Sequence, residues 1–493
     1  MYDNSDNSDN SQQRRDGEPR WRSRRTWRTW RRAANNNAYV VYLCIEAAFA
    51  LFSAMYGSLS TVYRIKAAGL NPLQLVLVGT VLEGSVFLFQ IPTGVLADVF
   101  SRRRSVIIGV ALTGLGFLLE GSFPIFGTIL LAQVLWGVGY TFISGAEEAW
   151  IADEVGAEAA GKAYLRATQV GQVAGIVGIV IGVALGSLRL NLPMVVAGIC
   201  VLILSVALIV FMPETRAQAA FAPQPAGETP AAGTIATVAV VETVERAERA
   251  ALRDLWRTLQ RGLRLVWRRP ILLTILGIGV FFGMSSEGYD RLGDAHILSD
   301  FHLPPLGPFS YVVWFGILEL GSALLSLTVV EVIRRRMNTT SHRSVSRVLF
   351  VANGVLVAAV VGFGLARAFA LALALYWAVR VVRNVSSPLY TAWINQSVDS
   401  DVRATVLSME GQADALGQIA GGPVVGAIGL YVSLRAALVA AGLTLSPSLL
   451  LFVRAFRQGD QGDQGDQRAP HTLPDAAPDR ATPETNDVVI AER

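Results

Sequence analysis

Glu46, Glu83, Glu319, Arg380, Arg383, Glu410 and Asp414 all stand inside otherwise apolar stretches of this 493-residue chain. Facing lipid at mid-bilayer, each would cost about 2.5–3.5 kcal/mol or more, so each must face protein or a water-filled path. Arg380 and Arg383 require anionic partners, and Glu319 and Asp414 are the nearest by depth. These four could line the path of a polar or charged molecule. Glu46 and Glu83 have no basic residue at comparable depth in the same half of the chain. A carboxyl held without a countercharge can exchange a proton near neutral pH, which is the chemistry of proton coupling. A helix–helix hydrogen bond is the competing role.

Other chemistries lack residues. There is no phosphate-binding loop and no paired-His motif, and the four histidines (His296, His302, His342 and His471) fall in predicted loops or tails. Neither metal, cofactor nor ATP-driven pumping is expected, and no enzyme constellation is present. Cys44 and Cys200 lie in apolar segments and are expected to pack as small hydrophobes. The Arg/Trp-rich stretch from Arg20 to Arg32 has two readings, nucleic-acid binding or an interfacial anchor on anionic lipid. Its position just before an apolar run favours the anchor, so no nucleic-acid partner is expected.

The elements that carry these residues follow from composition. The chain is 52% hydrophobic and 16% charged, well below the roughly 25% charged residues of soluble domains. Apolar runs long enough to cross a bilayer recur near 38–62, 72–97, 104–122, 125–149, 166–187, 192–212, 271–290, 309–333, 347–366, 368–390, 406–431 and 435–455. They are too long and unbroken for alternating barrel strands. The expected fold is an all-α polytopic membrane protein of about twelve transmembrane helices in two six-helix bundles, 38–213 and 271–457.

Arginines cluster in alternate connections, Arg102–Arg104 and Arg334–Arg336 among them. The positive-inside rule then puts both termini in the cytoplasm of a cell-membrane protein. Arg64, Lys66, Arg189 and Arg291 are left as scattered residues of the outer turns. Polar repeats mark 1–37, a basic tail, and 458–493 as disordered. The linker 214–270 is expected to end in an amphipathic surface helix with Leu252, Leu255, Trp256, Leu259 and Leu263 on its apolar face.

Between the second and third runs lies Gly94-Val95-Leu96-Ala97-Asp98-Val99-Phe100-Ser101-Arg102-Arg103-Arg104. An Asp in the last turn of one helix followed by a basic turn needs something to answer its charge. This stretch resembles the signature loop between helices two and three of the major facilitator superfamily, with Ser101 where Gly is common. The segments Ser144–Asp153, Pro388–Asn395 and Arg403–Val406 also resemble stretches of that family, and the resemblance covers roughly residues 38 to 457. It implies that Asp98 pairs with Arg102 and with Asp153, and that Asp98 faces the N-terminus of the eleventh helix near Ala404 across the two halves. Such a carboxylate–dipole contact is worth a few tenths to about 1 kcal/mol. Gly94, Asp98, Arg102, Arg103 and Asp153 are thus expected to form a conformational switch, the rival role being simple fixing of topology.

The halves echo one another. Asp98 before Arg102–Arg104 is matched by Glu331 before Arg334–Arg336, and Gly171-Gln172-Val173-Ala174-Gly175 by Gly417-Gln418-Ile419-Ala420-Gly421. Glycines at three- and four-residue spacing in the fifth and eleventh runs suit close helix packing. Antiporters of the resembled family often carry Gly-Pro in the fifth helix; here Gly422-Pro423 sits in the eleventh. The expected function is secondary transport by alternating access, as proton-coupled efflux of small amphipathic compounds, with protons, a small-molecule substrate and membrane lipids as partners of a monomer. Uptake of a polar or anionic nutrient through Arg380 and Arg383 stays open, as does a non-transporting sensor or scaffold.

Overall fold

The computed structural model describes residues 20–99, 101–214, 270–306, 311–336, 342–398 and 402–455, without the side chains of 20–36, 99, 334, 336, 342, 343 and 404. The regular elements are helices: α1 (Arg20–Lys66), α2 (Pro72–Val99), α3 (Arg102–Ser122), α4 (Phe126–Ile143), α5 (Ala146–Val155), α6 (Ala157–Leu188), α7 (Leu192–Phe211), α8 (Pro270–Asp300), α9 (Val312–Arg336), α10 (His342–Leu365), α11 (Phe369–Ser397), α12 (Arg403–Tyr431) and α13 (Leu434–Thr444). A further helical stretch, 446–455, continues α13. Together they supply twelve stretches long and apolar enough to span a membrane, α4 and α5 sharing the fourth and α13 with 446–455 forming the last.

Local chemistry sets the ends. Asn71 and Gln74 exchange side-chain-to-amide hydrogen bonds of 2.9 and 3.0 Å, a capping box with Pro72 opening α2. Ser101 caps α3 by accepting from the Arg104 amide. Gly145 (φ +78°) and Gly156 (φ +90°) break the backbone on either side of α5, a conformation that favours glycine.

Three expectations about extent are corrected. The segment 1–37 is helical from Arg20 onward, because no Pro or Gly interrupts the chain before the first span. The seventh span continues to Asp300, ten residues beyond the apolar run, since its polar last turns are packed inside protein and need no lipid-compatible surface. His296, expected in a loop, is consequently buried on α8. The amphipathic surface helix expected at 252–267 and the C-terminal tail lie outside the described residues.

Packing repeats between the halves. α1 packs on α6 as α8 packs on α12, α3 on α7 as α10 on α13, and α2 on α4 as α9 on α11. Small residues make the first of these contacts close. A Cβ at Gly178 or Gly182 would strike the backbone of Leu51 or Met55 on α1, and one at Gly417 or Gly421 the backbone of Val280 or Met284 on α8. The halves meet through α2 with α12 and α6 with α9.

That seam is asymmetric. Around the turns near Lys66 and Tyr431, Leu59, Val62 and Val76 of the first half share one core with Leu292, Phe315 and Val425 of the second. Around Asp98, two separate cores form, one with Tyr42, Val106 and Trp150 and the other with Leu272, Val345 and Trp393. The bundles are fused at the Lys66 end and distinct at the Asp98 end.

Candidate functional site

The Asp98 turn brings together the three residues named for it. Arg102 donates to Asp98 (3.2 Å), to Asp153 at the end of α5, and to the Ala149 carbonyl (3.4 Å). Glu331 and Arg335 form the matching i, i+4 pair at 2.6 Å on α9. Two further placements belong to this turn. Arg103 donates to the Ile209 and Met212 carbonyls and so caps α7, because the chain leaves α7 beside this turn. Asp98 is 70% exposed, and among the described residues it is paired with Arg102 and not with α12. The cause is the parting of the halves at this end.

Gly94 shows the same parting, since a Cβ there would meet nothing within 4 Å. Gly94→Leu is therefore expected to leave the thermal midpoint within a degree or two of wild type while blocking approach of the halves at the Asp98 end. Cysteine cross-linking between α2 and α12 at that end, alongside a thermal melt, would test both parts.

In the second half, Arg380 and Arg383 have each found a carboxylate. Arg380 donates to Glu319 (2.6 Å) and to the Tyr376 hydroxyl (2.9 Å), which itself donates to Glu319 (3.0 Å). Arg383 holds Asp290 in a two-point contact of 2.6 and 3.0 Å. Asp414, expected as a partner for Arg383, instead accepts from Gln418 (2.8 Å), and its Oδ1 is buried without a hydrogen-bond partner among the described residues. The longer seventh span explains the exchange, because it carries Asp290 beside α11. Arg291, expected in an outer turn, lies on α8 and pairs with the buried Glu287 at 3.2 Å.

Between α8, α10, α11 and α12 lies a cavity of about 200 Å³. Phe282, Asn353, Arg383, Tyr390, Glu410 and Asp414 are among its lining residues, so aromatic surface and two carboxylates share one space.

The first half holds a network that sequence reasoning missed. Arg64, expected in an outer turn, is 3% exposed and donates to Glu120 (2.8 Å), itself wholly buried. Tyr56 and Gln133 also donate to Glu120, at 2.6 and 2.7 Å, and Phe117 stacks on Tyr56. Both charges sit at the ends of apolar runs, where an interfacial position and a buried pair look alike in sequence. Glu46 lies one turn after Tyr42 on α1, in electrostatic range of Glu148. Glu83 makes no ion pair among the described residues and lies in electrostatic range of Arg291, Asp414 and Asp290 across the seam. Gln412 donates to Gln90 over the same seam at 2.8 Å.

The sequence pattern of the Major Facilitator Superfamily matches residues 38–409. The chain belongs to that superfamily. It is a multi-pass membrane transporter. An uncharacterized MFS-type transporter, YxaM of Bacillus subtilis (strain 168), is 23% identical over 387 residues, covering 77% of this chain and 86% of the relative. Among solved structures, the nucleoside transporter NupG superposes with a TM-score of 0.63 at 12% identity, over 85% of this chain and 99% of its own. A bacterial homolog of the human lysosomal transporter Spinster, inward-facing and unoccupied, also gives 0.63, at 15% identity over 85% and 97%. Likeness at such identities establishes the shared fold.

Proposed function

We propose that this transporter exports small amphipathic compounds in exchange for protons, by alternating access between its halves. The asymmetry of the seam carries the reading: one joint core at the Lys66 end and two separate cores at the Asp98 end correspond to one of the two states that alternating access needs. With the arginine-rich connections placed in the cytoplasm, the open side is the loading side of an exporter. Glu46 and Glu83 are the coupling carboxylates. A proton on Glu83 changes the charge balance against Asp290, Arg291 and Asp414 where the halves meet, so protonation and movement are linked. The aromatic and acidic lining of the second-half cavity suits a molecule with an apolar body and a polar end.

Anion uptake through Arg380 and Arg383 has less support, because Glu319 and Asp290 already neutralise both guanidiniums. The nucleoside and peptide transporters among the fold neighbours make nucleosides and peptides suitable controls. The test is purified protein in liposomes loaded with a pH-sensitive dye and challenged with cationic drugs, nucleosides, peptides and small anions. Drug-driven proton movement that falls at least tenfold in Glu83→Gln or Glu46→Gln is the expected result. Proton-independent anion entry abolished by Arg380→Ala would overturn the export reading.

A further inference from the structure

Glu147 is a buried ionisable group that none of the roles above uses. It stands in the first turn of α5, just past the glycine break at Gly145. It is 8% exposed, and its Oε1 has no hydrogen-bond partner among the described residues. The charges it faces are acidic: Glu46 from α1, and Glu148 on its own helix. Tyr164 of α6 donates to the Glu148 carbonyl at 2.9 Å.

No base answers it. Arg102, which α3 brings towards α5, is held by Asp98, Asp153 and the Ala149 carbonyl. On α6, Lys162 pairs with Glu158 and Arg166 with Gln169. α2 contributes only the exposed Asp98 near this end. The N-terminus of α5 offers a partial positive charge, but that is small beside the loss of hydration and the repulsion from Glu46. A carboxylic acid resolves the conflict, since it removes the charge and gives one oxygen a proton to share.

We propose that Glu147 binds a proton and shares it with Glu46, making the pair, rather than Glu46 alone, the proton site of the first half; this deepens the proton-coupled reading and rests on it. In the transfer, the O–H bond on Glu147 breaks as one forms on the Glu46 carboxylate, and the pair keeps a single negative charge. Loss of the proton leaves two negative charges between α1 and α5. Because α5 is joined through glycine at both ends, its position can answer that repulsion, and Asp153 on the same helix transmits it to Arg102.

Infrared difference spectroscopy of the full chain in lipid bilayers, titrated with acid and base, tests the site without any substrate. The carbonyl band of a protonated carboxyl should be present at neutral pH, lose most of its intensity in E147Q, and shift in frequency in E147D. In E46Q the band should remain and its titration midpoint should move. E147D, which keeps the carboxyl, carries the test if E147Q fails to fold. A band unchanged in both E147Q and E147D would overturn the proposal. A band lost in E147Q, with no proton movement in liposomes for any compound, would instead uphold the site and overturn the coupled-transport reading.

Discussion

Arg64→Met is expected to destabilise the protein by about 3–5 kcal/mol, the usual cost of leaving a buried charge without its partner. Glu120 would keep the Tyr56 hydroxyl and the Gln133 amide, but no cation, in a site that excludes water. The double replacement Arg64→Met with Glu120→Met removes both charges and should recover most of the loss, because two apolar side chains of similar size do not need hydration. Thermal unfolding of the three proteins in the same lipid nanodiscs reads the difference. A single variant as stable as wild type would mean that water reaches Glu120. The network joins α1, α3 and α4 within the first half, so its role is to hold that bundle together while the seam between the halves opens and closes.

Gly422→Leu is expected to move the conformational equilibrium without unfolding either bundle. A Cβ at Gly422 would lie 2.8 Å from the Thr80 hydroxyl, 3.0 Å from Val76 Cγ1 and 3.1 Å from Glu287 Cγ. The larger side chain therefore wedges α12 away from α2 at the fused end. Overpacking of this kind costs about 1–3 kcal/mol, and the part set by Thr80 and Val76 acts only in the state where α2 and α12 touch. The population open at the Lys66 end should then rise by about 5- to 150-fold. Spin labels at Ala67 and Tyr431, in protein with Cys44 and Cys200 replaced, would report a longer distance. An unchanged distance with a lowered thermal midpoint would mean that this contact is permanent, and the alternating-access scheme would need another seam. Gly79 belongs to the same closure, since a Cβ there would collide with Glu287 and Arg291.

Much of the architecture was legible because bilayer spanning is a one-dimensional constraint. A run of apolar residues must be long enough to cross, and its backbone must be helical. Most helix ends accordingly fall within a few residues of the apolar boundaries. The seventh span did not obey, because its last turns face protein. The same misplacement hid the places of Asp290 and Arg291, and with them the true partner of Arg383. A polar residue at the edge of an apolar run can sit in the headgroup region or inside the bundle, and composition is the same in both cases. Arg64 and Glu120 were overlooked for that reason.

By itself the sequence determined the number of spans, the superfamily, the duplicated pattern of the halves and the Asp98–Arg102 pair, all of which follow from local spacing or short-range contact. Tertiary structure alone decided which charge meets which, which end of the seam is closed, and that Arg103 caps α7. Those outcomes depend on the rotation and relative depth of helices far apart in the chain. A rotation of one residue, about 100° on a 3.6-residue turn, turns a carboxylate from a partner into a stranger, and no linear pattern encodes that angle.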